Sequence, residues 1–413
     1  MRTFPSEFDV IVAGGGPAGS ATAGLLAQKG HHVLLLEREK FPRYHVGESL
    51  VTGSVPTLEE LGVRERLDAM GTVKKYGGTL LWGADQGTWD FRFAEVGHHD
   101  YAYQVRRADF DSLLLTRARE LGVAVLEETN VKEPIFDGDR IVGVEYQDRN
   151  GGEVKTARCR MFIDASGQQH LLARRFKLLE WQEDLRNLAV WSYFAGCELY
   201  EGTYAGDVIT ENRPDGWLWF IPLSDNTVSI GYVTPTESAK RSGNNLEALF
   251  HRELEAADEV RRLSMDAYPV SQFRTARDWS YTCHRFHGPG WALIGDAAAF
   301  VDPLLASGVT LALLGARGLS DTLDLVLRNP EVEEHAMSVY DNNYRDFLGT
   351  VLDFVRFFYD RTRNKEEYWE KAQAAIDPEG LRPQKQDFAI MLSGTIGLHE
   401  VFEASAGTLL ETS

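Results

Sequence analysis

The stretch VAGGGPAGSATAGLLAQKGHHVLLLER, Val12 to Arg38, decides the fold. An apolar run from Asp9 to Ala13 leads into it and reads as a strand. The glycine turn Gly14-x-Gly16-x-x-Gly19 follows, then a helix from Pro17 to Lys29, then a second strand from His32 to Glu37. Strand, turn, helix and strand in this order form a βαβ unit, so a parallel sheet opens the fold. In such a unit the glycines allow a tight turn and close backbone approach, and the helix start holds a pyrophosphate on its N–H groups. Glu37 closes the second strand at about the ~20-residue distance expected of a ribose-binding acid. Alone, the glycine pattern is weak and Glu37 would be a surface acid. In this context the segment reads as a dinucleotide site.

Charge narrows the partners. Lys and Arg number 43 and Asp and Glu 62, a formal charge of −19 over 413 residues. A body so negative repels nucleic-acid phosphates and anionic membranes, and neither is an expected partner. A local anion remains compatible, because backbone amides at helix ends hold one against the global field. The three cysteines, Cys159, Cys197 and Cys283, are far apart and form no CxxC pair. Neither a disulfide framework nor a metal site is expected, and a reducing, cytoplasmic compartment fits. The opening MRTFPSEFDV has no apolar core, so no signal peptide is expected. The longest apolar stretch, Trp291 to Gly315, is broken by Asp296, Asp302 and Pro303, and reads as a buried strand followed by a helix rather than a membrane span.

From Ala108 to Leu121 the spacing predicts a helix with Phe110, Leu113, Leu114 and Ala118 on one face. Trp191 to Val233 is rich in aromatic and β-branched residues and predicts antiparallel strands. WALIGDAAAF returns to strand, turn and helix. From about Met337 the chain reads as helical to near its end, with Tyr340, Tyr344, Phe347 and Leu348 at helical spacing. The chain is therefore expected to leave the dinucleotide-binding domain and come back to it. The expected division is a discontinuous dinucleotide-binding domain (1–75, 101–175 and 275–335), a β-rich substrate domain (76–100 and 176–274) and a C-terminal helical region (336–413).

Three further segments bear on which dinucleotide is held: YQVRR (Tyr103–Arg107), FIDASG (Phe162–Gly167) and WALIGDAAAFVDP (Trp291–Pro303). With the glycine turn they resemble, over most of the chain, the glutathione-reductase-type flavoproteins of the hydroxybenzoate hydroxylase branch. The resemblance implies an α/β fold, with a Rossmann-like FAD-binding domain, an inserted antiparallel β-sheet substrate domain and C-terminal helices. It implies that FAD lies on Gly14, Gly16, Ala18, Gly19, Glu37 and Arg38. It adds Glu48, Ser49 and Arg107, and later in the chain Gly167, Asp296, Pro303, Gly308 and Val309. Asp296, at a strand end, can accept from flavin ribityl or ribose hydroxyls, or cap a helix. With one glycine fingerprint, NAD(P)H either docks transiently or serves a separate flavin reductase.

Within that branch, further motifs resemble the flavin-dependent halogenases. Trp217-Leu-Trp-Phe-Ile-Pro222 is an intact WxWxIP. On a strand, Trp217, Trp219 and Ile221 share one face and Leu218 and Phe220 the other. The resemblance assigns Trp217, Trp219, Ile221 and Pro222 to a wall that keeps organic substrate from the flavin; read alone, they are a core strand. Val73-Lys-Lys-Tyr-Gly-Gly78 resembles the lysine–glycine element between flavin and substrate, and its pattern selects Lys75 as the catalytic lysine. In an extended chain only one of the two lysines faces the passage, and a lysine in an apolar tunnel has a lowered pKa. Read alone, the pair is two solvated lysines. In Asp302-Pro-Leu-Leu-Ala-Ser-Gly-Val309 the resemblance places chloride or bromide on the amides of Ser307 and Gly308; Ser307 as an N-cap is the simpler alternative. HVGESL (His45–Leu50) also matches. FFYDR (Phe357–Arg361) and EEYW (Glu366–Trp369) resemble the tail of halogenases that act on carrier-borne rings, or are plain core.

One departure stands out. Free-tryptophan halogenases have an acid two positions before the Ser/Thr-Gly pair, where this chain has Leu305, and they usually run longer. Both features resemble the group that acts on phenols, pyrroles or carrier-tethered rings, and leave open what assists Lys75. The implied function is a halogenase of natural-product, including antibiotic, biosynthesis. It would use O2, halide and FAD reduced by a separate NAD(P)H-dependent flavin reductase, as a monomer or homodimer. Its aromatic substrate would be free or held on an acyl or peptidyl carrier protein, with Arg261, Arg262, Arg274 and Arg277 as candidate basic residues for docking, equally well read as ordinary solvated charge. The region from Trp181 to Gly206 and the C-terminal helices would line the substrate pocket. The alternatives are an FAD-dependent aromatic hydroxylase, a geranylgeranyl-reductase-like enzyme, and a catalytically inactive flavin-binding partner protein.

Overall fold

The computed structural model of the chain describes residues 7–85, 87–97, 99–241, 243 and 245–394. Residues 1–6, and 395–413 of the expected helical region, lie outside them. The strand Glu7–Ala13 runs through the middle of an eight-stranded sheet. It pairs in parallel with Val33–Leu36 on one side and Lys155–Asp164 on the other, with Val12 opposite Leu35 and Ile163. Ala124–Leu126 and Trp291–Leu293 extend the parallel set outward. The central strands are buried on both faces, as their continuous apolar runs require.

The glycine turn is a steric necessity. Gly14 has φ of +112°, and a Cβ there would sit 2.2 Å from the Ala165 carbonyl oxygen. A Cβ on Gly19 would sit 2.0 Å from the Gly14 oxygen. The helix Pro17–Gln28 can therefore lie directly on the strand ends only with glycine at both positions. It packs against Arg107–Glu120 and Gly308–Arg328. On Arg107–Glu120 the buried apolar set is Phe110, Leu114, Leu115 and Ala118, with Arg107 and Asp111 buried beside them. Leu113 is half-buried and packs on the same core, and Leu115 joins the set with its side chain against Gly15.

A nine-stranded sheet forms the second layer. Its path runs from Ala299–Phe300 through Arg274–Cys283, Leu179–Ala195, Val228–Pro235, Gly216–Pro222, Val208–Arg213 and Gly77–Leu81 to Trp89–Arg92. The Arg274–Cys283 strand was expected in the dinucleotide-binding part. It belongs here because it pairs along the 17-residue strand Leu179–Ala195. The sheet also contains one pair that is not antiparallel, Val208–Arg213 beside Gly77–Leu81. More than a hundred residues separate those two strands, so no hairpin forces their directions to oppose. A two-stranded ribbon, Val73–Lys75 with Ala102–Gln104, stands apart from both sheets. Helices Glu333–Phe358, Lys365–Ile376 and Gln384–Ser393 close the described chain. No helix among the described residues is long and apolar enough to cross a membrane.

Period-two alternation divides the Gly216–Pro222 strand between two cores. Leu218 and Phe220 pack with Ile230, Tyr232 and Phe250 under the helices Leu246–Glu255 and Glu259–Leu263. Trp217, Trp219 and Ile221 face the large core shared with the parallel sheet. Trp219 has Gly231 directly opposite on the next strand, and a Cβ on that glycine would sit 2.1 Å from the indole. Gly231→Ala should therefore displace the Trp219 ring and cost about 1–3 kcal/mol. Urea unfolding and tryptophan emission check this. An unchanged midpoint with unchanged emission would show that the indole is not held there.

Candidate active site

One cavity of about 1000 Å³ lies between the two sheets. The glycine turn contributes Gly14, Gly16 and Ala18, and the next strand Glu37 and Arg38. Gly16 precedes the helix and has no side chain to cap it, so backbone alone faces the cavity there. A Cβ on Gly16 would meet only the Arg43 guanidinium, at 3.4 Å. Glu37 is buried: one carboxylate oxygen accepts from Gly15 N at 2.6 Å and the other from Glu39 N at 2.7 Å. Arg38 lies against the Gln169 side-chain amide. A bare helix start, a buried acid beside it and a long cavity fit the pyrophosphate and ribose of FAD.

Glu48, Ser49, Arg107, Gly167, Asp296, Pro303, Gly308 and Val309 line the same cavity. Gly19, Pro222 and Ser307 do not. Gly19 lies under the turn, and Pro222 ends its strand, buried against Val228. Arg107 is held by Asp111 at 2.8 and 3.0 Å and by the Val46 carbonyl at 2.7 Å. Asp296 sits in the short turn Gly295–Ala297 and caps no long helix; burial pushes its carboxyl up to about 6, opposed by Arg107. The next long helix opens only at Gly308, because a turn at Pro303–Leu305, with Ala306 at φ of +53°, intervenes. Ser307 occupies the N-cap position but makes no capping bond, and its buried hydroxyl has no hydrogen-bond partner.

Lys75 is fully buried and lines the cavity. Its Nζ donates to Ser49 Oγ at 2.8 Å. Burial pulls the ammonium down to about 7, opposed by Asp207. Lys74 points the other way, paired with Asp68 at 3.3 Å and lying 4.2 Å over the Tyr101 ring. Trp217, Trp219 and Ile221 also face the cavity, the two indoles 6.0 Å apart. Trp219 Nε1 donates to Ser229 Oγ at 3.1 Å and Trp217 Nε1 to Tyr359 Oη at 3.0 Å.

Several neighbours escaped the sequence reading. Tyr193 donates to the buried Glu48 carboxylate, and Trp191 Nε1 donates to Tyr44 Oη at 2.7 Å. Tyr359 donates to Asp302 at 3.2 Å, and burial raises that carboxyl. These residues carried only an aromatic-strand or helix-tail signal.

A model of the tryptophan halogenase family matches residues 96–409, and one of FAD-dependent oxidoreductases matches residues 9–175. The chain belongs to the flavin-dependent halogenases. It is 33% identical to a tryptophan 2-halogenase of Chondromyces crocatus, over 97% of this chain and 78% of that one. Among solved structures it is similar to the flavin-dependent halogenase CmlS, with 36% identity, a TM-score of 0.81, and coverage of 90% and 68%. It is also similar to the myxobacterial chondrochloren halogenase CndH, with 31% identity, a TM-score of 0.82, and coverage of 94% and 97%. The halogenase is thus an FAD-dependent oxidoreductase.

The basic residues expected to dock a carrier do not form a free patch on this halogenase. Arg261 pairs with Glu255 at 2.9 Å and Arg262 with Glu259 at 2.7 Å. Arg274 lies over the Tyr44 ring and Arg277 over Trp279. The aromatic tail packs in the core, with Phe358 stacked on Trp82 and Tyr368 on Trp89, and Phe358 also lines the cavity. The three cysteines are free, and no cluster among the described residues could hold a metal.

Burying Lys75 has a cost that depends on pH. Its folded pKa, about 7, lies below the ordinary 10.5, so the unfolded chain holds the proton more tightly. The penalty is complete below pH about 7 and fades as pH rises toward 10.5. Lys75→Met should therefore raise Tm by several degrees at pH 6 and by little at pH 10, as seen by calorimetry. A gain independent of pH would mean that the ammonium is hydrated.

Proposed function

We propose that the enzyme halogenates an electron-rich aromatic ring, a phenol or a pyrrole, free or tethered to a carrier protein. It takes chloride or bromide, O2 and FAD reduced by a separate NAD(P)H-dependent flavin reductase. When bound, the reduced flavin supplies the electrons with which O2 and halide become hypohalous acid. The chain supplies place, exclusion and protons. Backbone N–H groups at Ser307 and Gly308 hold the halide at a helix start. Trp217 and Trp219, pinned through their indole N–H groups, wall the ring from the flavin and leave passage only for a small molecule.

The observation that carries this reading is the Lys75 ammonium, fully buried in the cavity wall with Ser49 as its hydrogen-bond acceptor. Near pH 7 both of its forms are present. The ammonium donates to the oxygen of hypohalous acid and orients the halogen. The free amine exchanges a proton for halogen and releases water. From either state the ring attacks the halogen and then loses its proton to restore aromaticity. Removing the ammonium takes away a positioned proton donor, a contribution of the kind worth about 10²–10⁴ in rate. Lys75→Met should keep its FAD and its O2 consumption while halogenation falls at least a hundredfold, scored as product per O2 consumed. A variant that halogenates at the parent ratio would remove Lys75 from the mechanism.

A further inference from the structure

Lys75 lacks the acid that the tryptophan-specific pattern puts at position 305, where this chain has leucine. The fold brings a different carboxylate to the lysine. Asp207 stands just before the strand Val208–Arg213, whose Val208 pairs with Gly78, three residues after Lys75. Gly206 lies so close to the ribbon that a Cβ on it would sit 2.0 Å from the Lys74 carbonyl oxygen. Gln104, on the ribbon's other strand, donates Nε2 to the Gly206 carbonyl at 3.0 Å and bridges backbone to Ser49. Four segments, at Ser49, Lys75, Gln104 and Gly206–Asp207, thus close on one place.

The Asp207 side chain is fully buried there. One oxygen accepts from Arg92, whose guanidinium also donates to the Thr203 carbonyl at 3.1 Å and covers the Tyr204 ring. The other oxygen, Oδ1, is buried with no hydrogen-bond partner. A carboxylate buried with one oxygen unsatisfied is costly unless it serves a nearby charge. Arg92 and Asp90 bear on Asp207, and Asp207 is the charge that opposes desolvation at Lys75. Asp207 does not line the cavity, so it touches neither flavin nor ring.

We propose that Asp207, anchored by Arg92, is the positioning residue for Lys75, holding the ammonium in place and in its charged form in the role that Leu305 cannot fill. The proposal rests on the reading of Lys75 given above. It also explains why Gly206 and Gln104 hold this loop against the ribbon: the acid comes from the inserted sheet, not from the halide turn.

The test is competitive acetylation of lysines by acetic anhydride over a pH series, on the FAD-loaded enzyme, with Lys75 followed by mass spectrometry. The parent midpoint should lie at about 7. Asp207→Asn should lower it by roughly one unit, the lower end of what losing an opposite charge does to a buried group. Asp207→Glu should restore it. If the asparagine variant does not retain flavin, Asp207→Ser is neutral as well and should show the same drop. A neutral variant that keeps its flavin and the parent midpoint overturns the proposal. A lowered midpoint, together with a Lys75→Met variant that still halogenates, would uphold the pairing and overturn the reading of Lys75.

Discussion

An ammonium removed from water has to be met by fixed dipoles and charges, and the place where Lys75 is met determines much of this architecture. Its Nζ reaches Ser49 across a short ribbon that belongs to neither large sheet. The ribbon is held from one side by the loop that carries Glu48 and Ser49, and from the other by the leading edge of the nine-stranded sheet. Were the two sheets to slide, the lysine would lose its partners together. Burial and the Asp207 charge pull its proton affinity in opposite directions, and the balance leaves it near neutrality, as the proposed roles of donor and nucleophile require.

The indoles around the cavity are fixed by the same rule. Trp191, Trp217 and Trp219 are buried, and each places its N–H on a hydroxyl: Tyr44, Tyr359 and Ser229 respectively. Two of those hydroxyls lead on to buried carboxylates. Tyr359 donates to Asp302, just before the Pro303–Leu305 turn, and Tyr44 donates to Tyr193, which donates to Glu48. The wall, the turn ahead of Gly308 and the loop beside Lys75 are therefore joined by satisfied polar contacts inside an apolar room, an arrangement that favours one rigid geometry. The charge of −19 concerns the outside only. In the proposed reading, both inner anions rest on backbone at helix starts, not on a positive surface.

What the sequence discloses follows from how local each feature is. The βαβ opening, Glu37 and the division of Trp217 and Trp219 from Leu218 and Phe220 depend on spacing within one or two elements, and all were legible. The helix start at Gly308 was legible from Ser307 as its N-cap position, but the stretch before it was not: GDAAAF looks like a helix opening until the Ala299–Phe300 strand and a left-handed Ala306 are seen. Membership of Arg274–Cys283 in the nine-stranded sheet depends on pairing with a strand about a hundred residues earlier. Asp207 was invisible for the same reason. Nothing near it in the chain marks it as a partner of Lys75, and only a parallel pairing and a close glycine contact bring the two together. Of the two readings open for the arginines, the structure favours solvated charge: Arg262 meets Glu259 within its own helix and Glu198 from a distant segment, and Arg261 meets Glu255.

The proposed reaction in this cavity turns halide into a halogen on an aromatic ring. The most direct measurement is mass spectrometry of reactions with FAD, a flavin reductase, NADH and O2, with and without chloride or bromide. It would run over a panel of free and carrier-bound phenols and pyrroles. The account predicts a product that appears only with halide and shows the two-isotope pattern of chlorine or bromine. A hydroxylated product that forms equally well without halide would contradict it.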